Sequence, residues 1–319
     1  MGAGVVPAPL FRDPVYDGAA DPVVIYNHVE KAWWMLYTNR RAGAPGVGQG
    51  WIHGTDIGIA ESRDGGTTWL YRGICEGLSF ERGTNTYWAP EVVYHEGVYH
   101  MYVSYVRGIP TDWNWGRKIL HYTSRDMWDW HFESEIVLSS DKVIDAAVFR
   151  MPDGMWRMWY KDEAHESHTW AAQSADLYHW DVVGEVISDC AHEGPNVFRL
   201  GGTYWMITDE WHGMGVYHSD DLLSWEKQDS LILDRPGTRT DDGTIANHAD
   251  VVTCGGRAYI FYFTHPERGN KNNDEQDLGN YRLSRSSIQA AELIIKNGRL
   301  TCDRDAQFEL ELDETVENR

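Results

Sequence analysis

Short apolar runs, each opened by a polar or acidic residue and followed by a turn and an aromatic-rich run, recur along the chain. The pairs are Asp21–Tyr26 with Trp33–Tyr37, Ala89–Tyr94 with Val98–Val103, Asp145–Phe149 with Met155–Tyr160, Glu193–Phe198 with Thr203–Ile207, and His248–Val252 with Ala258–Phe263. Runs this short, rich in β-branched and aromatic residues, predict strands. Glu96-Gly97, Pro152-Asp153-Gly154, Gly201-Gly202 and Gly255-Gly256 stand between paired runs, as hairpins require. A second signal follows each pair: Ser-x-Asp and then Trp, at Ser62/Asp64/Trp69, Ser124/Asp126/Trp130, Ser174/Asp176/Trp180 and Ser219/Asp221/Trp225. Near Ser284-Arg285-Ser286 the Asp and Trp are lost, and terminal repeats are commonly atypical.

The unit is a small antiparallel sheet. Five of them, starting at Asp21, Ala89, Asp145, Glu193 and His248 and spaced roughly 50 to 70 residues apart, predict an all-β chain folded as a five-bladed β-propeller. The expected organisation is one domain over residues 1–319, with the residues before Asp21 closing the ring and a C-terminal tail over about 289–319. No helical periodicity follows the strands, which excludes an eight-stranded α/β barrel. A sandwich does not explain a five-fold repeat.

Composition narrows the partners. Lys+Arg number 28 against 49 Asp+Glu, a formal charge of −21, which excludes a nucleic-acid partner because a polyanion needs a basic surface. At 42% hydrophobic and 24% charged, the chain has the mix of a folded protein. Its 16 Trp and 17 Tyr exceed what a core needs and suit flat stacking surfaces for sugars. Cys75, Cys190, Cys254 and Cys302 form no metal or disulfide spacing. The start, Met1-Gly2-Ala3-Gly4, shows no signal-peptide pattern, and no run approaches the roughly 20 apolar residues of a membrane span. A cytoplasmic protein without a membrane partner is expected. The oligomeric state is left open.

In a propeller the starts of the innermost strands converge on one end of a central funnel. Asp21, Asp145, Glu193 and His248 stand at such starts. Clustered carboxylates raise one another's pKa, and shifted carboxylates suit acid/base hydrolysis. Inverting glycoside cleavage needs one acid and one base about 6.5 to 9.5 Å apart, a gap that opposite funnel walls can supply. The alternative is that these acids cap strands and bond backbone amides.

At these positions the sequence resembles the propellers of glycoside hydrolase family 43, in the clan shared with families 32, 62, 68 and 117. The carriers, spread over residues 13 to 265, are Ala20-Asp21-Pro22, Trp88-Ala89-Pro90-Glu91, Ile144-Asp145, Glu193-Gly194-Pro195-Asn196 and Asn247-His248-Ala249. The resemblance implies Asp21 as general base, Glu193 as general acid and Asp145 as the carboxylate that tunes and orients the acid. It implies the imidazole of His248 beneath the sugar, where some relatives hold a calcium or sodium ion through water; no other cofactor is implied. Ala146 departs from a frequent proline, and Ala20 from a common Arg or His. Arg12-Asp13-Pro14 fits the base motif by letters, so Asp13 is the rival of Asp21. The Ser62–Trp69 segment also matches the S-x-D-x-G-x-T-W turn of sialidase-type propellers, an outer structural turn.

Substrate contacts are expected from Trp88, Glu91, Trp211 and Arg40, with Trp113, Trp115 and Trp170 also near the funnel face; Arg40 can serve sugar hydroxyls, an acidic sugar or a salt bridge. The His-bearing stretches Trp51–Asp56 and Asp162–His168 lack zinc spacing, and the polar stretch 269–277 reads as an exposed excursion. The expected activity is an inverting, exo-acting glycoside hydrolase of oligosaccharides, arabinofuranosidase- or xylosidase-like. Alternatives are a galactosidase or anhydro-galactosidase acting on algal oligosaccharides, and a non-catalytic sugar-binding propeller.

Overall fold

The computed structural model describes residues 5–44, 46–269 and 280–313. From residue 19 these fold into consecutive four-stranded antiparallel sheets, each laid down strand by strand from the inside outward. Blade one holds β1 (Ala19–Asn27), β2 (Ala32–Asn39), β3 (Asp56–Ser62) and β4 (Leu70–Ile74). Blade two holds β5 (Thr86–His95), β6 (Val98–Val106), β7 (Lys118–Ser124) and β8 (His131–Ile136). Blade three holds β9 (Val143–Arg150), β10 (Trp156–Asp162), β11 (His168–Ser174) and β12 (Asp181–Ile187). Blade four holds β13 (Glu193–Leu200), β14 (Thr203–Asp209), β15 (Met214–Ser219) and β16 (Glu226–Lys227), and blade five β17 (Asn247–Cys254), β18 (Arg257–Thr264), β19 (Ser287–Lys296) and β20 (Arg299–Cys302). The first strands touch in the cyclic order β1, β5, β9, β13, β17 and back to β1. The fold is the all-β, five-bladed propeller the repeat predicts.

Burial accounts for the sequence pattern. β1 is buried along its whole length, and a strand covered on both faces reads as a continuous apolar run. Outer strands such as β4 and β12 are largely exposed and read as mixed. One apolar layer fills each blade interface: Trp34 with Val92 and Met101, Tyr102 with Val148 and Tyr160, Trp159 with Met206 and Tyr217, Ile207 with Val251 and Ile260, and Tyr37 with Phe261 and Ile288.

The Ser-x-Asp turns join the third strand to the fourth on the rim of blades one to four. In blade three, Leu177 N donates to Ser174 Oγ (2.9 Å), Tyr178 N and His179 N donate to Asp176 Oδ1 (2.9 and 2.8 Å), and Trp180 Nε1 donates to Leu177 O (3.2 Å). In blade three these atoms are satisfied within the turn itself.

The tail expected from residue 289 is corrected. β19 and β20 pair with β18 and with each other as the outer half of blade five. Ser284-Arg285-Ser286 precedes β19, and the turn equivalent to the other Ser-x-Asp sites is Asn297-Gly298. Residues 303–313 then cross the seam between blades five and one. Phe308 stacks on Tyr259, Leu312 N donates to Gly65 O (3.0 Å), and Val5 and Phe11 bridge to Glu309 and Ile288. Among the described residues no helix is long and apolar enough to cross a membrane.

Candidate active site

Every first strand breaks register at its funnel end: between Ala20 and Val23, Trp88 and Glu91, Ile144 and Ala147, Glu193 and Asn196, and Asn247 and Ala249. Four breaks carry a left-handed residue: Asp21 (φ 48°), Ala89 (44°), Asp145 (60°) and Gly194 (55°). Such a conformation costs a residue with a side chain about 1–2 kcal/mol. The irregularity bends the strand and re-aims the side chain. Here it turns Asp21 and Asp145 into the funnel.

They meet in a cavity of about 380 Å³ whose walls include Asp21, Arg40, Trp88, Asp145, Glu193, Trp211 and His248, seven of the eight expected site residues. His248 Nδ1 lies 3.9 Å from both Asp21 and Asp145. Gly194 N donates to Asp145 Oδ2 (3.2 Å). A Cβ on Gly194 would stand 2.8 Å from His248 Cγ, so only glycine lets this backbone rest on the imidazole. Arg40 Nη2 donates to both oxygens of Asp21 (3.0 and 3.2 Å). Lys161 Nζ lies between Glu193 (3.0 Å) and Glu163 (3.3 Å), and Glu163 also pairs with Arg117 (3.0 Å). The Glu193 side chain stays 28% exposed to the cavity, against 6% for Asp21 and Asp145.

The carboxylates do not share one electrostatic environment. Burial pushes Asp145 up to about 6, aided by Glu193 and Asp21 and opposed by His248 and Lys161. Burial and Glu193 push Asp209 up to about 7, although its oxygens accept from His248 N (2.8 Å) and Trp211 N (2.7 Å). Burial raises Glu193 as well, but the Lys161 ammonium outweighs it and holds that carboxyl well below the usual range. Around His248 burial works against the charged form, and Asp145, Asp21, Glu193 and Asp209 overcome it and hold the imidazole's pKa up. The two shifts run in opposite directions: Asp145 is moved towards its protonated form and Glu193 towards its ionised form.

Several expected residues lie elsewhere. Glu91 is corrected from sugar contact to structural tie: the break after Trp88 turns it between blades, where Oε1 accepts from Val148 N (2.9 Å). Asp13 is no rival of Asp21. Its oxygens accept from Val15 N, Tyr16 N and the Tyr37 hydroxyl (2.9, 2.6 and 2.6 Å), which makes it the cap of a turn. Trp113 lines the cavity and Trp115 and Trp170 do not; Trp170 packs on His165. His53 is buried and bonds Gln49 O (2.9 Å), while His165 bonds Asp162 (2.8 Å). Of the polar stretch 269–277, residues 270–277 lie outside the described residues. Among the described residues no three Asp, Glu, His or Cys side chains converge as direct ligands for a metal ion. The donor set therefore does not fit a directly ligated ion.

Lys161, Arg117, Asp209 and Arg268 were not anticipated, whereas Trp51 and Glu163 come from the two His-bearing stretches. Lys161 and Asp209 sit at the ends of second strands, paired with the starts of β9 and β13. A polar residue closing an aromatic run just where its partner run opens is the signal that would have found them.

No protein-family model and no curated protein matches this sequence. Solved structures do. A thermostable family-43 glycoside hydrolase superposes with a TM-score of 0.67 at 20% identity, covering 94% of this chain and 99% of that one. A family-43 enzyme from Xanthomonas citri complexed with xylotriose gives 0.66 at 15% identity over 94% and 93%. A family-43 β-1,3-galactosidase with galactodeoxynojirimycin gives 0.66 at 14% identity over 95% and 98%. The chain is built on the five-bladed propeller found in these family-43 glycoside hydrolase structures.

Proposed function

We propose that the protein is an inverting, exo-acting glycoside hydrolase that releases a terminal sugar from oligosaccharides. The observation that carries this reading is the meeting of Asp21, Asp145 and Glu193, from three blades, around His248 in one cavity walled by Trp51, Trp88, Trp113 and Trp211. Its volume is near the lower end of small-molecule sites, about 300–1,000 Å³, which suits one or two sugar rings.

Asp21, oriented by Arg40, is the general base that takes a proton from the attacking water. Glu193, the most accessible of the three, is the general acid that protonates the leaving oxygen. For that it must gain a proton, and Lys161 is the control. When a glycosidic oxygen occupies Glu193, Lys161 moves fully onto Glu163, and burial together with the neighbouring carboxylates then raises Glu193. Asp145, tied to Gly194 N, orients the acid. No step is routed through a metal ion. Xylosides and arabinofuranosides are the first substrates to try, in line with the xylotriose-bound neighbour; galactosides follow, in line with the galactosidase.

The test is turnover of aryl glycosides and plant and algal oligosaccharides by the wild type, Glu193→Gln and Asp21→Asn, with the product anomer followed by NMR. We expect one sugar released with inverted configuration, kcat lowered about 10²–10⁴-fold in each variant, and sugar binding retained. Undiminished turnover in Glu193→Gln would remove the assignment, and sugar binding without turnover in the wild type would make the protein a binding propeller.

A further inference from the structure

The cations that line the cavity are matched to carboxylates with one exception. Arg40 pairs with Asp21 (3.0 Å), Arg117 with Glu163 (3.0 Å), and Lys161 with Glu193 (3.0 Å) and Glu163 (3.3 Å). Arg268 forms no ion pair among the described residues. Its guanidinium lies over the Trp51 ring, 5.4 Å from the centroid, and its Nε donates to Leu283 O (2.9 Å). That bond fixes the plane and leaves the two terminal amino groups for another partner. In a chain of net charge −21, a half-buried guanidinium facing a ligand cavity without a carboxylate is anomalous, since buried charges are normally paired.

Its surroundings add positive charge. Arg40 stands on the same wall, stacked on Phe263 (4.7 Å). His265 joins them but brings no negative charge. Its Nδ1 lies 3.0 Å from Arg285 O, which can only accept, so Nδ1 carries the proton and Nε2 faces Arg40 Nη1 at 3.5 Å. Burial and the neighbouring Arg40 pull Arg268 down to about 10, while Asp21 pairs with Arg40. Of the other acids in the lining, Glu193 and Glu163 are taken by Lys161 and Arg117, which leaves Arg268 as the cation without a carboxylate.

We propose that Arg268 is an anion anchor, and that the sugar this site accepts carries a planar or forked oxyanion, the carboxylate of a uronic acid or a sulfate ester. The two free amino groups of Arg268 match two oxygens of such a group in a bidentate contact, with the guanidinium held in place over the Trp51 ring. Discrimination follows from the same physics. A neutral sugar leaves the guanidinium desolvated and unpaired, whereas an anionic one completes it. The inference rests on the hydrolase reading and narrows its substrate class.

The experiment uses matched nitrophenyl glycosides: galactoside with galacturonide, glucoside with glucuronide, and galactoside with its 6-O-sulfate, each tested with wild type, Arg268→Met, Arg268→Gln and Arg268→Lys. We expect an anionic member to exceed its neutral partner about 10- to 100-fold in kcat/KM. Arg268→Met and Arg268→Gln should bring that ratio near unity, and Arg268→Lys should keep part of it. Preference for the uronide identifies a carboxylate, and preference for the sulfate an ester. Equal turnover of neutral and anionic partners by the wild type, or an equal loss on both in Arg268→Met, overturns the anchor and leaves the hydrolase reading intact. Should no pair be turned over, calorimetry of wild type and Arg268→Gln with galacturonate, glucuronate and galactose 6-sulfate decides. Binding that depends on Arg268 upholds the anchor without the hydrolase reading, and absence of such binding overturns it.

Discussion

Two sets of aspartates recur with the period of the blades, and they have opposite fates. On the rim, Asp64, Asp176 and Asp221 accept backbone amides from their own turns and are held below the ordinary carboxyl range, although burial pulls Asp64 and Asp176 the other way. At the funnel, Asp145 and Asp209 lose solvent without full compensation and are driven upward. The rim turns are nearly interchangeable from blade to blade. At the funnel the blades present Asp21, Ala89, Asp145, Gly194 and His248, four residue types at five equivalent places. Where the repeat is uniform it builds structure, and where it departs from itself it places chemistry.

This contrast can be broken at several points. The largest effect after loss of Glu193 or Asp21 is expected for Gly194→Ala. The added Cβ strikes the His248 ring at 2.8 Å on a backbone with φ 55°, so kcat should fall at least ~10-fold and stability by about 1–3 kcal/mol; kinetics and thermal melts report both. Next, Lys161→Met removes the cation that holds Glu193 down. The pKa of Glu193 then rises, a larger fraction is protonated at a given pH, and the alkaline limb of kcat/KM should move up by about one unit or more. An unmoved limb would make another group the acid.

A smaller effect separates the two sets by pH. Asp145 and Asp209 have folded values of about 6 and about 7 against an ordinary 3.8. The folded state therefore binds these protons more tightly than the unfolded one, and stability on their account falls as pH rises from about 4 through 7. The rim aspartates, shifted down, contribute stability that is lost as pH falls below about 4. Asp209→Asn should reduce the drop in Tm between pH 5 and pH 8, and an unchanged drop would contradict the assignment. The smallest effect is that of Ser174→Ala, which removes the acceptor for Leu177 N. It should cost about 1 kcal/mol, read as a drop of a few degrees in Tm, with kcat unchanged.

Much of this contrast was visible in the chain. The five strand starts, four of the hairpin turns and the rim turns follow from β-branched and aromatic runs cut by glycine, because such runs are fully buried inner strands. Asp21, Asp145, Glu193 and His248 were legible because each opens an apolar run. Glu91 was misplaced because the register break after Trp88 overrides simple alternation, and a break of this kind leaves no mark in spacing. Lys161 and Asp209 were hidden for a related reason: which end of a second strand faces the funnel depends on pairing, not on local composition. The outer half of blade five was missed because residues 265–286 interrupt the blade and its rim turn, Asn297-Gly298, lacks serine and aspartate.

Each blade is made of consecutive strands and can assemble from near neighbours in the chain. The seam between blades five and one is different: Val24 N donates to Asp250 Oδ2 across 226 residues, and Ser286 Oγ donates to Ala19 O across 267. Closing so long a loop is the slow, entropically costly step of such a topology. Asp21 and His248 stand on the two sides of that seam, so they come together only when the ring shuts. A molecule sprung open at the seam keeps its blades but separates Asp21 from the His248 imidazole. The cavity is completed in one step, after the last blade has been synthesised.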